Sequence, residues 1–276
     1  MSSRMSRAHN IPPLDDLREI SPAQRDAFRE NGHVLIHQLL NRGEIGIYRP
    51  LIVDAVKKCR ADKRRFPEKD VYEKGLIHIT NLWKMDEGVK QLVLSKRLAR
   101  MAADLLGVTN VRIYHDGALF KEPGGAPVPW HQDQHYWPLD TAQTAILCLP
   151  LVDISVEMGM LTFASGSHKL GPVAGGKATD QTDSWFRRYI RAHHFPVICA
   201  AGMMAGDATW HYGNTLHNSP ANDSDRMQEV MTVIYMADGA RVREPGNKAQ
   251  VNDWKAWLMG LPAGGPAASE LNPLLL

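Results

Sequence analysis

Apolar positions in the N-terminal third recur at helical spacing, and from Val111 onward they gather into short β-prone runs. Ser21-Pro22 offers an N-cap followed by proline at the first helical position, and that helix runs to Asn31-Gly32. His33 to Ile36 reads as a short buried strand. From Arg42 to Arg60, Ile45, Leu51, Ile52 and Val56 keep roughly helical spacing and predict a second helix. Two further helical stretches, Glu87 to Leu94 and Leu98 to Leu106, end at Gly107. Strands are expected at Val111–Tyr114, Ala118–Lys121, Ala145–Val152, Leu161–Ala164 and Thr232–Met236, with turn residues between them.

Many short strands behind a helical N-terminal part predict a mainly β fold with flanking helices, a double-stranded β-helix of the jelly-roll or cupin-like kind. Residues 1–20 read as a polar, flexible entry, and residues 21–276 as a single domain whose barrel begins at about 110. The charged segment 62–74 is expected to loop over the surface. Residues 169–195 lack clean periodicity, hold Gly175-Gly176 and read as a long insertion of the kind that forms lids. The tail from Asn247, with Trp254 and Trp257, is expected to pack back on the barrel.

Composition narrows the class without deciding it. A hydrophobic share of 44% suits a globular core, and a net charge of +2 gives no reason to expect nucleic acid or an anionic membrane as partner. Cys59, Cys148 and Cys199 are odd in number and far apart, which fits reduced thiols better than a disulfide framework. With no apolar run of signal-peptide or membrane-span length, the expected location is cytoplasmic. Monomer and homodimer stay equally open.

The chemistry gathers in Pro127–Pro138, where His131 and Asp133 stand one residue apart. On a strand such residues face the same way and supply two legs of a mononuclear metal site. A second histidine from a distant strand would complete the 2-His-1-carboxylate set that holds non-heme Fe(II) with positions left open. The run Gly206–Ser219 offers two, His211 and His217, and spacing alone does not choose between them. His135, Tyr136 and Trp137 are read as cavity wall or plain core. Lys121, before the Gly124-Gly125 turn, either attracts an anionic group or is solvated.

The ordered set His131-Gln132-Asp133, His135-Tyr136, Pro138, Gly159, Ser165-Gly166-Ser167-His168, Gly206-Asp207 and Leu216-His217 resembles the phytanoyl-CoA dioxygenase family of Fe(II)- and 2-oxoglutarate-dependent oxygenases. Phe28–Ile36 is similar to that family's N-terminal signature, and Asn272-Pro273-Leu274-Leu275 looks like its bacterial, natural-product-tailoring branch. The resemblance implies His131, Asp133 and His217 as iron ligands, with His211 in support. It implies Gln132 and Ser219 near 2-oxoglutarate. The family's anchoring arginine stands eleven positions after the distal histidine, where this chain has Gln228; Arg226, two residues earlier, is the expected substitute, assisted by Gln228.

Oxygenation of a small molecule, with O2 and 2-oxoglutarate as co-reactants, is thus the first expectation. Hydroxylation, epimerisation, cyclisation and desaturation are all open as its outcome. A metal-containing barrel that binds a small ligand without turnover is the alternative. A hydrolytic zinc enzyme ranks last, because no general-base glutamate stands beside the histidines.

Overall fold

The computed structural model describes residues 11, 13–61, 75–173, 176 and 178–276. In chain order the elements are α1 (Pro22–Asn31), β1 (His33–Ile36), α2 (Arg42–Ala61), β2 (Leu76–Thr80), α3 (Glu87–Val93), α4 (Lys96–Leu106), β3 (Val111–Lys121) and β4 (Val128–His131). They continue with β5 (Thr144–Pro150), β6 (Thr162–Ala164), α5 (Asp180–Ala192), β7 (Val197–Cys199), β8 (Ala208–Tyr212), β9 (His217–Ser219), β10 (Gln228–Ala237) and α6 (Lys248–Trp257). The helix starts follow from local chemistry. Ser21 caps α1 in a reciprocal box with Gln24, and Gly32 closes the helix in the left-handed conformation. Asp86, Ser95 and Asn247 cap α3, α4 and α6 with their side chains.

Two antiparallel sheets face each other. The major sheet runs β1-β8-β5-β10-β3-β2 and the minor sheet β4-β9-β6-β7. Alternation divides the major sheet cleanly. Ile36, Ala208, Trp210, Leu147, Leu149, Met231, Val233, Tyr235, Ala118 and Phe120 turn to one face and bury themselves with residues of α1–α4, such as Phe28, Ile52, Val89 and Leu98. The opposite face, which includes Lys121, Gln228, Cys148 and His211 by register, looks toward the minor sheet. The jelly-roll architecture is therefore present, and no helix among the described residues is long and apolar enough to cross a membrane.

The structure departs from the expected elements in four places. The two strands predicted at Val111–Tyr114 and Ala118–Lys121 are one continuous β3, because Gly117 occupies a point where an added Cβ would come within 3.1 Å of the His78 ring. The barrel does not begin at 110, since β1 and β2 close the two edges of the major sheet. The entry segment is packed where it is described: Leu14 and Ile20 are buried, and Asp16 pairs with Arg97. Within 169–195, α5 is a capped helix that buries Phe186 and Ile190 against Trp130 and Leu216. Its half-buried Trp185 and Tyr189 fall on the same side as Phe186 and Ile190. Segment 62–74 and Gly175 lie outside the described residues. The tail does pack back as expected: Asn272 donates to the carbonyls of Ile113 and Tyr114, and Leu275 N–H to Val111.

Beneath the helices, Asp116 is a fully buried carboxyl. One oxygen accepts from Leu82 N–H at 3.1 Å, and the other meets no donor among the described residues. Burial pushes its pKa up from 3.8 to about 7. Between those values the folded chain holds a proton that the unfolded chain has lost, so stability falls as pH rises from about 4 to about 7. The span corresponds to at most roughly 4 kcal/mol. Asp116→Asn is thus expected to raise the thermal midpoint above pH 7, with the gain shrinking toward pH 4. Thermal unfolding of both proteins across that range would show it, and a pH-independent difference would refute it.

Candidate metal centre

The two distant histidines meet because their strands pair. In the β4–β9 ladder His131 is the direct cross-strand partner of His217, which brings their ring centroids to 4.2 Å. Strand β4 ends at His131, so Asp133 does not continue a strand as expected but opens a short 3-10 turn to Tyr136. Gln132 between them keeps an extended backbone (φ −118°, ψ 129°), and the carboxylate still projects beside the imidazole. That turn is fixed by Gln134, whose N–H donates to Gly213 at 2.9 Å and whose side-chain oxygen accepts from Thr144. Gly213 is required for this contact, since a Cβ there would sit 2.6 Å from the Thr144 hydroxyl.

Three imidazole Nε2 atoms converge on the Asp133 carboxylate: His131 at 3.3 Å from Oδ1, His211 at 3.4 Å and His217 at 3.7 Å from Oδ2. Their roles separate by tautomer. Nδ1 of His131 donates to Pro129 O at 2.8 Å, and Nδ1 of His217 donates to Thr215 O at 2.9 Å. Each is the carbonyl two residues earlier, and each bond leaves Nε2 with a free lone pair aimed inward. His211 has the reverse arrangement. Its Nδ1 is buried and meets no partner among the described residues, so its Nε2 carries the proton donated to Asp133. The group with metal-binding geometry is accordingly His131, Asp133 and His217, whose ligand atoms all lie within 4.8 Å of one another. Two ligands at right angles around a metal at about 2.1 Å stand about 3 Å apart, close to the separations found. Donor chemistry, tautomers and spacing therefore fit a divalent iron held facially.

The electrostatics of the cluster are those of a site built for a cation. Burial works against the Asp133 carboxylate, yet His217, His131 and His211 outweigh it and hold its carboxyl well below the usual range. Burial also opposes a charged His131, but the adjoining Asp133 raises it; His217 is lowered well below its usual value by burial and by its neighbour His131. Around this centre the wall is low in charge. Burial lowers the His115 pKa to about 4 and lifts that of Cys148 to about 12. His78 also feels Asp133, and burial lowers its pKa, although its ring keeps open surface in the manner of a cavity-lining side chain.

The other predicted residues divide. Gln132 points away from the centre: its amide nitrogen donates to Gly171 and Asn214, and its oxygen accepts from Val173 N–H at 2.9 Å. Ser219, two residues after His217 on β9, shares its face and donates to Gly159 O at 2.6 Å. Gln228 is buried, with its amide donating to Met158 O and Gly159 O, each at 2.9 Å. Arg226 does not share a strand with it. Asn222 and Ser224 fold that segment into a side-chain-stapled turn before β10, and the exposed Arg226 guanidinium reaches the Asp153 carbonyl at 3.3 Å. Trp137 is core, whereas Tyr136 reaches Ala178 with its hydroxyl. His193 and His194 are exposed. Phe163, not singled out by the sequence, stacks on His33 and lies against both His211 and His217. Its only sequence signal is its place in a short strand before the Ser165–His168 turn.

Comparison with known proteins agrees with this geometry. A probable alpha-ketoglutarate-dependent hypophosphite dioxygenase of Stutzerimonas stutzeri is 28% identical over 163 residues, 56% of this chain and 54% of that protein. The match thus spans about half the length of that relative. Among solved structures, the non-heme alpha ketoglutarate dependent carbocyclase SnoK from nogalamycin biosynthesis superposes with a TM-score of 0.76 at 25% identity, covering 97% of this chain and 100% of that one. The epimerase SnoN from the same biosynthesis shares the fold, with a TM-score of 0.74 at 23% identity over 92% and 97% of the two chains. The family model for phytanoyl-CoA dioxygenase (PhyH) matches residues 28–230, most of the structure from α1 into β10, and the chain belongs to that family.

Proposed function

We propose that the chain is an Fe(II)- and 2-oxoglutarate-dependent oxygenase acting on a small molecule, with tailoring of a secondary metabolite as the favoured setting. The observation that carries this reading is the paired tautomers of His131 and His217, each fixed by a main-chain carbonyl, beside the Asp133 carboxylate. A core histidine pair would not need both Nε2 lone pairs aimed at one half-buried carboxylate. The family and the likeness to SnoK support the cosubstrate.

In this reading His131, Asp133 and His217 hold the iron, which supplies oxygen activation coupled to decarboxylation of the 2-oxo acid. The chain's own residues do the rest. His211 keeps one carboxylate oxygen hydrogen-bonded and so sets the orientation of Asp133. Phe163 packs the imidazoles from the minor sheet and excludes water from that side. The inner faces of β3 and β5 carry His115 and Cys148, both kept neutral by burial, and the outcome after C–H abstraction depends on how that wall positions the substrate.

Two expectations follow for the purified protein. Iron should bind at one per chain; His131→Ala, Asp133→Ala and His217→Ala should each abolish it. His211→Ala should retain it with affinity lowered about ten- to a hundredfold. Iron titration of the four variants decides this, and loss of iron only in His211→Ala would move the ligand role to that residue. The iron-loaded protein should also convert 2-oxoglutarate slowly to succinate without substrate. No succinate above the Asp133→Ala background would favour a binding protein without turnover.

A further inference from the structure

A bulge interrupts the major sheet. In the β3–β10 ladder Ile113 pairs with Tyr235 and His115 with Ile234, so Tyr114 is an extra residue. A bulge of this kind re-aims a side chain, here bringing two neighbours to one face. Tyr114 packs with Ile146, Ile234 and Met236 on the inner side, and its ring lies 5.4 Å from that of His115.

α6 covers this spot. Gln250, Asp253, Trp254 and Trp257 recur at helical spacing and share one face. Gln250 fastens that face to the metal turn by donating to the His135 carbonyl at 3.0 Å. The half-buried Trp257 sets its ring 5.1 Å from His115. Between these two positions the half-buried Asp253 accepts from the Tyr114 hydroxyl at 3.4 Å and meets no cation among the described residues. At that length the bond is weak, and it leaves most of the carboxylate's acceptor capacity open. Burial pushes the Asp253 pKa up to about 7.

The charge of Asp133 is felt at Asp253, His115 and His78, so all three border the space beside the metal ligands. Iron would answer Asp133, but nothing among the described residues answers Asp253. Burial keeps both imidazoles neutral, so neither repels a cation. A carboxylate without a counter-ion beside an indole attracts an ammonium twice, through a charge-assisted hydrogen bond and through the ring face. An alcohol would gain much less there, and an anion would be repelled.

We propose that Asp253 and Trp257 receive a protonated amino group of the substrate, which makes the substrate class a small-molecule amine. Its oxidation rests on the oxygenase reading above, whereas its recognition does not.

The test is anaerobic calorimetric titration of the Fe(II) protein, with and without 2-oxoglutarate. The probes are phenethylamine and tryptamine, each paired with its N-acetyl counterpart, which keeps the ring and loses the charge. A fluorotryptophan-labelled sample, its Trp257 resonance assigned through Trp257→Phe, shows whether each probe lands at that ring. Wild type should bind the amines at least about tenfold more tightly than the amides, with the Trp257 resonance shifting. Asp253→Asn still accepts from Tyr114, so a merely structural role would leave the preference in place. The amine site instead requires the preference to fall to within about threefold in Asp253→Asn and to survive in Asp253→Glu. Trp257→Leu should cost the amines more affinity than the amides. No amine bound, equal affinity for amines and amides, or a preference that survives in Asp253→Asn would each overturn the proposal. An amine preference in a protein that forms no succinate would instead bring down the oxygenase reading and leave the amine site standing.

Discussion

The centre depends on one ladder of very short strands. β4 and β9 have too few residues to stand as an independent hairpin, yet their register is what places His131 opposite His217. The ladder is held from outside. α1 ends at Gly32, whose carbonyl accepts from the Thr215 hydroxyl at 2.7 Å and from Tyr212 N–H at 3.0 Å. Thr215 in turn offers the carbonyl that fixes His217. The N-terminal segment similar to the family signature is thus joined to the metal histidine through two hydrogen bonds, and its glycine serves geometry at a distance.

A second constraint is electrostatic. Three imidazoles and one carboxylate are gathered where neither charge nor lone pairs are well solvated. Such an arrangement is ordered only when each imidazole proton has an assigned acceptor. Pro129 and Thr215 assign two of them, and the Asp133 carboxylate takes the proton of the third. The same reasoning fits the neutral state in which burial keeps His115 and Cys148 beside the cluster, since a further cation there would compete for Asp133.

Much of this was legible in the sequence, and the failures have physical causes. The capped helices α1 and α4 and the strands β5 and β6 came through because capping, glycine and hydrophobic period agreed. β3 was divided because a glycine inside a strand looks like a turn until the residue it makes room for, His78, is known. α5 was missed because Gly175-Gly176 and the exposed arginines stood out over Trp185, Phe186, Tyr189 and Ile190, which do recur at helical spacing. At the site, His-x-Asp was readable from spacing, and the choice of His217 over His211 came from family resemblance. Arg226 falls outside the strand it was assigned to, because strand alternation was extended past the start of β10 into a turn that Asn222 and Ser224 create. Gln132 stands between two residues that project toward the candidate metal site, and by alternation its own side chain turns away.

That outward turn of Gln132 has a mechanical meaning. Its amide grips Gly171, Asn214 and Val173, while Asp183 of α5 accepts from the main-chain N–H of Trp130 at 2.9 Å. The described stretch at Gly171 and Val173, together with α5, is therefore fastened to the very residues on either side of His131. Displacing it would strip hydrogen bonds from the ligand strand and free the backbone on which the histidine is mounted. A shift of Gly171, Val173 or α5 would in that sense be felt first at the backbone that carries His131.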